Sequence, residues 1–376
     1  MRIDSDASTD RATVSVAIID AREAAESVGL RYVTDEKPGI VRRKRGTGFS
    51  FVMPTGLAVT DTATSDRIRK LAIPPAYHQV WICPQANGHI QATGRDAKGR
   101  KQYKYHALFR KTRDSTKYDH VLEFAESLPT IRAQVDHHMS LQGLPRTKVL
   151  ATIVWLLETT MIRIGNASYA KQNKSYGLTT LRDRHVSIND GELRFQFTGK
   201  SGKQWHLSLR DRRVAKIVKA SQDLPGQHLF QYVDSDGVQR EVTSGDINAY
   251  LKEISGADFT AKDFRTWNGT VLAAVTLCEF DEIDGLAAAN RNIREAIKIV
   301  SLTLGNTPAI CRKCYIHPEV LESYLNKELT KQTLEKMKKE LHDDLSHRTL
   351  DEAVMLAFLQ RKVLGKLQQQ NQKNGA

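Results

Sequence analysis

The chain has 376 residues, 40% of them hydrophobic, which is enough for two domains with buried cores. No apolar run reaches the roughly 18 to 20 residues that a membrane-spanning helix needs, and the acidic start does not fit a signal peptide. We therefore expect a cytoplasmic protein without a membrane partner. Lys and Arg total 56 against 43 Asp and Glu, a formal net charge of +13. This surplus favours a nucleic-acid partner, although a merely soluble basic protein stays open at this point.

Cysteine is rare in this chain. Four cysteines are too few for a disulfide framework in a chain of this length: Cys83, Cys278, Cys311 and Cys314. The last two form a C-x-x-C motif, but no second pair completes a zinc site. We interpret them as reduced structural thiols rather than metal ligands or a redox pair, and we expect no cofactor.

The residue pattern in the first third of the sequence is typical of strands and turns. Residues 1–27 form an N-terminal extension with one short amphipathic helix. Residues 28–106 carry β-branched and aromatic residues interrupted by Gly, Pro and Asn, which predicts a β-rich domain. Runs of Lys and Arg within it, such as Arg42 to Arg45, are suited to contacting phosphate.

Beyond residue 106 the residue pattern becomes typical of helices. Residues 107–376 show apolar residues at helical spacing, interrupted by an alternating segment with turns at residues 189–191 and 199–202. The pattern predicts an α+β protein. A small β-rich N-terminal domain precedes a larger, mainly α-helical domain that contains a small β-hairpin insert.

One motif that suggests nucleotide binding fails on inspection. The segment Thr198-Gly199-Lys200-Ser201 resembles the end of a P-loop, but that loop needs glycine where this chain has Arg194. The segment also lies between two predicted strands rather than between a strand and a helix. We therefore expect no nucleotide cofactor.

Five polar residues stand in unusual places along the second domain. Arg163 follows the most apolar helix, Lys200 lies at a hairpin tip, and Arg265 lies among large apolar residues. Asn306 lies in a helix-ending turn, nine residues before Tyr315. Each has an ordinary structural explanation when taken alone, such as a salt bridge, a surface turn or core packing. Their order along the chain is more informative than any single residue.

That order resembles the poxvirus-like and bacterial type IB DNA topoisomerases. The segments that carry the resemblance are GRDAKGRKQYKYH, IRIGNASYA, YGLTTLRDRHV, FTGKSGK, KDFRTWNGT and LGNTPAICRKCY. They occur in the family's order and span the chain from about Tyr32 to beyond Tyr324. The resemblance implies a catalytic domain of the kind shared with tyrosine recombinases, acting on double-stranded DNA.

The family's roles carry over to the matching positions. The resemblance implies that Tyr315 attacks a backbone phosphorus to give a 3′-phosphotyrosyl link, while Arg163 and Arg265 bind the non-bridging oxygens. It implies that Lys200 is the general acid for the departing 5′-oxygen, supported by Lys262. Asn306 stands where poxvirus members have histidine, so it can donate a hydrogen bond but adds no charge. The broken strand would swivel and be resealed, relaxing supercoils without metal or ATP.

The resemblance also implies residues that contact DNA, on one N-terminal strand and one helix of the second domain. These residues are Arg100, Lys101, Gln102, Tyr103, Tyr105 and Tyr169. We expect a monomeric bacterial enzyme whose two domains clamp duplex DNA, associated with the nucleoid. Ordinary strand aromatics and solvated lysines are the alternative reading of these six positions.

Two other functions remain possible from the sequence. A tyrosine recombinase or integrase shares the Arg/Lys/Arg/Tyr chemistry, but it carries H-x-x-R where this chain has Lys262 to Arg265, and its N-terminal domain is typically helical. An architectural DNA-binding protein without catalysis would explain the charge alone. It would not explain why every position of the set holds a chemically competent residue.

Overall fold

The computed structural model describes residues 21–97, 99–280, 285–341 and 347–374. Most of the predicted extension, residues 1–20, lies outside the described residues; of the remainder, Ala21–Glu26 is helical (α1). The chain divides into two compact units, one up to His120 and one from Val121. The division falls inside the long helix α3, Ala107–Ser140.

The first unit is built on one antiparallel sheet in the order β2-β1-β3-β4-β5. Its strands are β1 (Ile40–Arg45), β2 (Gly48–Val52), β3 (His78–Ile82), β4 (Ile90–Arg95) and β5 (Lys101–Tyr105). One face of the sheet packs a small apolar core that includes Ile40 and Ile82. The prediction that this region is rich in β-strands is therefore confirmed.

One element of the first unit differs from the strand-and-turn expectation. Residues Thr62–Lys70 form helix α2, and the side chain of Asp61 accepts hydrogen bonds from Ala63 N and Thr64 N. Ile68 is its only buried residue. The helix contains just two apolar side chains, Ala63 and Ile68, which are too few to distinguish it from the strands and turns expected here.

The second unit is mainly helical, around one large core. Its helices before the carboxyl-terminal region are α4 (Arg146–Thr160), α5 (Ala167–Asn173), α6 (Arg212–Gln222), α7 (Ser244–Ser255), α8 (Ala261–Glu279) and α9 (Gly285–Leu304). The remaining helices are α10 (Pro308–Cys314), α11 (Pro318–Leu325), α12 (Lys331–Glu340) and α13 (Leu350–Asn374). Helix α4 is buried on most of its faces and runs through the core, as its apolar composition predicts.

Two small sheets complete the second unit. The predicted insert is a three-stranded antiparallel sheet of β6 (Val186–Asn189), β7 (Glu192–Thr198) and β8 (Gln204–Arg210). A two-stranded ribbon joins β9 (Gln231–Val233) to β10 (Gln239–Glu241). The turn between β7 and β8 carries Lys200 at its tip, as the hairpin reading expects.

Candidate active site

Four of the sequence-selected residues meet in the second unit. Arg163 lies just after α4, Arg265 inside α8, Asn306 just after α9 and Tyr315 at the end of α10. The guanidinium carbon of Arg265 is 5.2 Å from the centroid of the Tyr315 ring. Arg163 donates a hydrogen bond to Asn306 Oδ1. Residues up to 152 positions apart in the sequence thus form one polar cluster.

Arg265 is held from two sides by backbone carbonyls. It is only 3% exposed, and it donates to Leu304 O at 2.6 Å and to Met161 O. Met161 ends α4 in the left-handed conformation, at φ 58°, so the chain turns sharply at the point where its carbonyl accepts this bond. These bonds offset part of the cost of burying a charge. Arg265 Nε has no hydrogen-bond partner among the described residues.

Arg163 fixes the orientation of the Asn306 amide. It donates to Gly305 O at 2.8 Å and to Asn306 Oδ1. A guanidinium can only donate, so the amide oxygen must face it and the amide nitrogen must face away. Asn306 Nδ2 is buried and, within the described part of the chain, has no partner. An unpaired buried donor costs about 1–3 kcal/mol, and an anionic oxygen is the group that best satisfies it.

The cluster concentrates positive charge. Burial, and next the charge of Arg265, lower the pKa of Arg163. Burial also lowers the pKa of Arg265, and the nearby Tyr315 partly offsets this. Burial, followed by Arg163 and then Arg265, lowers the pKa of Lys203. Burial therefore disfavours the charge of all three cations, and Arg265 adds repulsion at Arg163 and Lys203, which a bound phosphate would relieve.

Lys200 and Tyr169 lie at a cleft that opens beside Arg163. This cleft has a volume of about 310 Å³ and is lined by Arg163, Asn166, Tyr169, Tyr176 and Lys200, among others. Lys200 itself is exposed. The cleft therefore brings the proposed acid and the predicted DNA-facing tyrosine to the edge of the arginine cluster. Lys262 lies exposed on the first turn of α8, outside the hydrogen-bonded cluster of the described residues.

Tyr315 is held against α8 by close backbone packing. Tyr315 N donates to Cys311 O at 2.9 Å, and His317 N donates to Thr270 Oγ1 at 3.0 Å. A Cβ atom added to Gly269, on the same helix, would lie 2.6 Å from Tyr315 O. The position therefore needs glycine because backbone and backbone nearly touch.

With Tyr315 as the nucleophile that the resemblance implies, Gly269→Ala should slow strand cleavage by about 10- to 100-fold, because displacement of a reacting group by about 1 Å has that order of effect. The measurement is the single-turnover cleavage rate. Gly365→Ala on α13 is the matched control, since an added Cβ there meets nothing within 4 Å. Equal rates for both variants would show that contact with α8 does not position Tyr315.

The DNA-contacting strand predicted in the first unit is β5. Arg100, just before it, pairs with Asp96 at 2.7 Å, and Lys101 pairs with Asp35 at 2.7 Å. Gln102 donates to Asp96 Oδ2 at 3.1 Å. The two carboxylates were not anticipated from the sequence, and they neutralise part of the strand's positive charge.

The two tyrosines of β5 differ in exposure. Tyr103 is 45% exposed, and its ring stacks on that of Tyr105 with the centroids 5.9 Å apart. Tyr105 is half-buried and packs against Phe109, at a centroid distance of 5.5 Å. Tyr103 is therefore the better placed of the two to meet an external ligand.

The C-x-x-C motif adjoins the cluster. Burial raises the pKa of the Cys311 thiol to about 11, although Arg265 and Arg163 oppose this. The thiol is therefore protonated at neutral pH and a poor nucleophile. None of Cys83, Cys278, Cys311 and Cys314 forms a disulfide bond. Among the described residues, no three His, Cys, Asp or Glu side chains are grouped to hold a metal ion, and no helix could cross a membrane.

Comparisons with known proteins agree on one kind of enzyme. The family model for the catalytic core of eukaryotic DNA topoisomerase I matches residues 106–344, and that for the N-terminal domain of bacterial DNA topoisomerase IB matches residues 48–96. DNA topoisomerase 1B of Acanthamoeba polyphaga mimivirus is 33% identical over 304 residues, covering 78% of this chain and 90% of the viral protein. DNA topoisomerase 1B of vaccinia virus (strain Copenhagen) is 22% identical over 254 residues, covering 67% and 77% respectively.

These matches define the class as DNA topoisomerases, which are isomerases that act on DNA. The chain belongs to the type IB family of that class. The prediction made from the ordered motifs is therefore confirmed, and the recombinase alternative is not favoured. The sheet-rich first unit and mainly helical second unit fit the same family.

Proposed function

We propose that Tyr315 is the nucleophile of the type IB reaction in this chain. Its Oη loses its proton to solvent and forms a bond to the scissile phosphorus while the bond from phosphorus to the 5′-oxygen breaks. The product is a 3′-phosphotyrosyl link and a free 5′-hydroxyl strand. The observation that carries the proposal is the Arg265 guanidinium, 5.2 Å from the centre of the Tyr315 ring and fixed by two carbonyls.

Arg163, Arg265 and Asn306 stabilise the charge that develops on the non-bridging oxygens. The unpaired Arg265 Nε and Asn306 Nδ2 are donors that such oxygens can satisfy. Arginine suits the role because its planar fork matches two phosphate oxygens and it stays charged. These cations supply the stabilisation that other enzymes obtain from Mg²⁺. The phosphotyrosyl link retains the energy of the broken bond, so resealing requires no ATP.

Lys200 donates a proton to the departing 5′-oxygen, and Lys262 supports it. Proton donation to an alkoxide leaving group contributes roughly 10²- to 10⁴-fold to such a rate. Lys200 suits the role because its exposed side chain shares a cleft with Arg163. The reverse transfer, from the 5′-hydroxyl to Lys200, accompanies resealing.

Duplex DNA binds through the basic surface of both units. In the first unit the contacts come from β5 and its approach: Arg100, Lys101, Gln102, Tyr103 and Tyr105. In the second unit Tyr169 faces the DNA beside Arg163. The catalytic unit has the fold shared with tyrosine recombinases, and the enzyme is a cytoplasmic, nucleoid-associated bacterial monomer. The net charge of +13 supports binding without sequence readout.

The test is to trap the covalent intermediate on duplexes labelled at either end of the cleaved strand. Protein and DNA are mixed in EDTA without ATP, denatured with detergent and separated by size. The 5′-labelled strand should become protein-linked with wild type and not with Tyr315→Phe. Linkage of the 3′-labelled fragment would contradict the proposed polarity, and linkage by Tyr315→Phe would remove Tyr315 as the nucleophile.

A further inference from the structure

Lys203 closes the turn that presents Lys200. Gly199 N donates to Lys203 O at 2.7 Å, immediately beyond the last paired residues of β7 and β8. The turn therefore begins and ends on one backbone hydrogen bond, with Lys200 just inside it. Any force that fixes Lys203 also fixes the backbone from which Lys200 extends.

The side chain of Lys203 reaches away from its own sheet to the end of α9. Its Nζ donates to Leu302 O at 2.8 Å. Leu302 is in the last turn of α9, where the helix dipole favours a cation. Among the described residues its carbonyl accepts only one backbone hydrogen bond, a long one of 3.3 Å from Gly305 N. Two of the next three residues bind the arginines. The carbonyl of Leu304 accepts a hydrogen bond from Arg265, and the carbonyl of Gly305 accepts one from Arg163.

Trp205 fills the space between the same two segments. Lys203 Nζ is 5.1 Å from the centroid of its indole ring, a cation–π arrangement. A Cβ atom on Gly199 would lie 2.6 Å from Trp205 Nε1, and one on Gly305 would lie 2.9 Å from Trp205 Cζ2. The indole therefore packs directly against both the Lys200 turn and the turn before Asn306.

We propose that Lys203, seated on Trp205, is a positioning residue that locks the Lys200 turn to the Leu304–Asn306 turn. The lock gives the leaving-group acid a fixed position relative to the two phosphate-binding arginines. Without the Lys203 ammonium, the β7–β8 turn would keep the Trp205 packing but lose its charged hydrogen bond to the end of α9, and Lys200 would sample positions too far from the 5′-oxygen. The inference rests on the proposed role of Lys200 as the general acid.

The test uses a leaving group that needs no acid. Replacing the bridging 5′-oxygen by sulfur at the mapped cleavage site makes the leaving group a thiolate, whose conjugate acid has a pKa of roughly 8.5. Single-turnover cleavage is measured on ordinary and sulfur-containing duplexes. Lys203→Met keeps the length of the side chain but loses the charge and the hydrogen bond. Lys203→Arg keeps both.

Lys203→Met should cleave ordinary DNA about 10-fold or more slowly, because part of the acid contribution is lost. On the sulfur substrate it should come within about 2-fold of wild type. Lys203→Arg should recover most of the ordinary rate. Lys219→Met, at an exposed lysine of α6 paired only with Asp223 among the described residues, is the control and should match wild type on both substrates.

Different failures have different meanings. If Lys203→Met is equally slow on both substrates, or is not slow on either, the positioning role is overturned while Lys200 remains the acid. If Lys200→Ala is not rescued by sulfur, the acid assignment itself fails, and this proposal fails with it. Melting temperatures of the variants separate these results from loss of folding.

Discussion

Arg265→Lys should lower the rate of strand cleavage by roughly 10³-fold, about the effect of removing one preorganised donor from an oxyanion site. Arg265 already gives two donors to Met161 O and Leu304 O and retains Nε unpaired. An ammonium has no planar fork with which to hold both carbonyls and also meet a phosphate oxygen. The charge is preserved in this variant, so the loss measures geometry rather than electrostatics.

The measurement is single-turnover cleavage at saturating protein, with Arg210→Lys as the control. Arg210 is 70% exposed and pairs with Asp190 at 3.4 Å, so its replacement should leave the rate unchanged. A melting curve establishes that Arg265→Lys is folded at the assay temperature. A folded Arg265→Lys enzyme with a rate near wild type would show that the Arg265 fork is not part of the phosphate site.

Arg132→Ala should destabilise the second unit by about 3 kcal/mol, the lower end of the range for breaking a buried ion pair. Arg132 on α3 contacts Glu158 of α4 at 2.5 Å and Glu352 of α13 at 2.7 Å. Burial lowers the pKa of Arg132, but the Glu352 and Glu158 carboxylates more than offset this and raise it above its ordinary value. Trp267 on α8 also donates to Glu352 at 3.3 Å.

Removal of the Arg132 guanidinium would leave two largely buried carboxylates facing each other without a cation. This uncompensated charge accounts for most of the expected destabilisation. Urea unfolding followed by circular dichroism measures the change. Arg361→Ala is the control, because Arg361 is 64% exposed and pairs with Glu340 at 3.5 Å, so less than about 1 kcal/mol is expected. Equal shifts for the two variants would mean that the network does not tie α13 to the core.

Sequence patterns predict the fold where the apolar periodicity is strong. Helix α4 buries most of its side chains, and β7 alternates buried with exposed residues, so the sequence pattern predicts both elements. Helix α2 buries only Ile68 and contains too few apolar residues for the sequence to indicate a helix. The sequence also predicts that the carboxyl-terminal segment α13 is a helix. Its attachment to the core joins Glu352 to Arg132, which are 220 positions apart, and no local pattern reveals such a contact.

The sequence predicts which residues belong to the candidate site, but it does not predict how they are arranged. The ordered motifs select Arg163, Lys200, Arg265, Asn306 and Tyr315. They do not reveal that backbone carbonyls hold both arginines, because those bonds join segments about 40 to 140 positions apart. The ordered motifs also do not select Lys203. The second lysine of G-K-S-G-K is the signal in the sequence, but only the fold places it against Leu302.

The most direct test of the central claim is relaxation of a negatively supercoiled plasmid in EDTA without ATP, comparing wild type with Tyr315→Phe. The account predicts that wild type converts the plasmid to relaxed topoisomers while Tyr315→Phe binds the plasmid and leaves it supercoiled. The variant removes one oxygen from a partly buried ring, so its fold should be preserved. A wild-type enzyme that relaxes only with added metal or nucleotide, or a Tyr315→Phe enzyme that relaxes normally, would contradict the account.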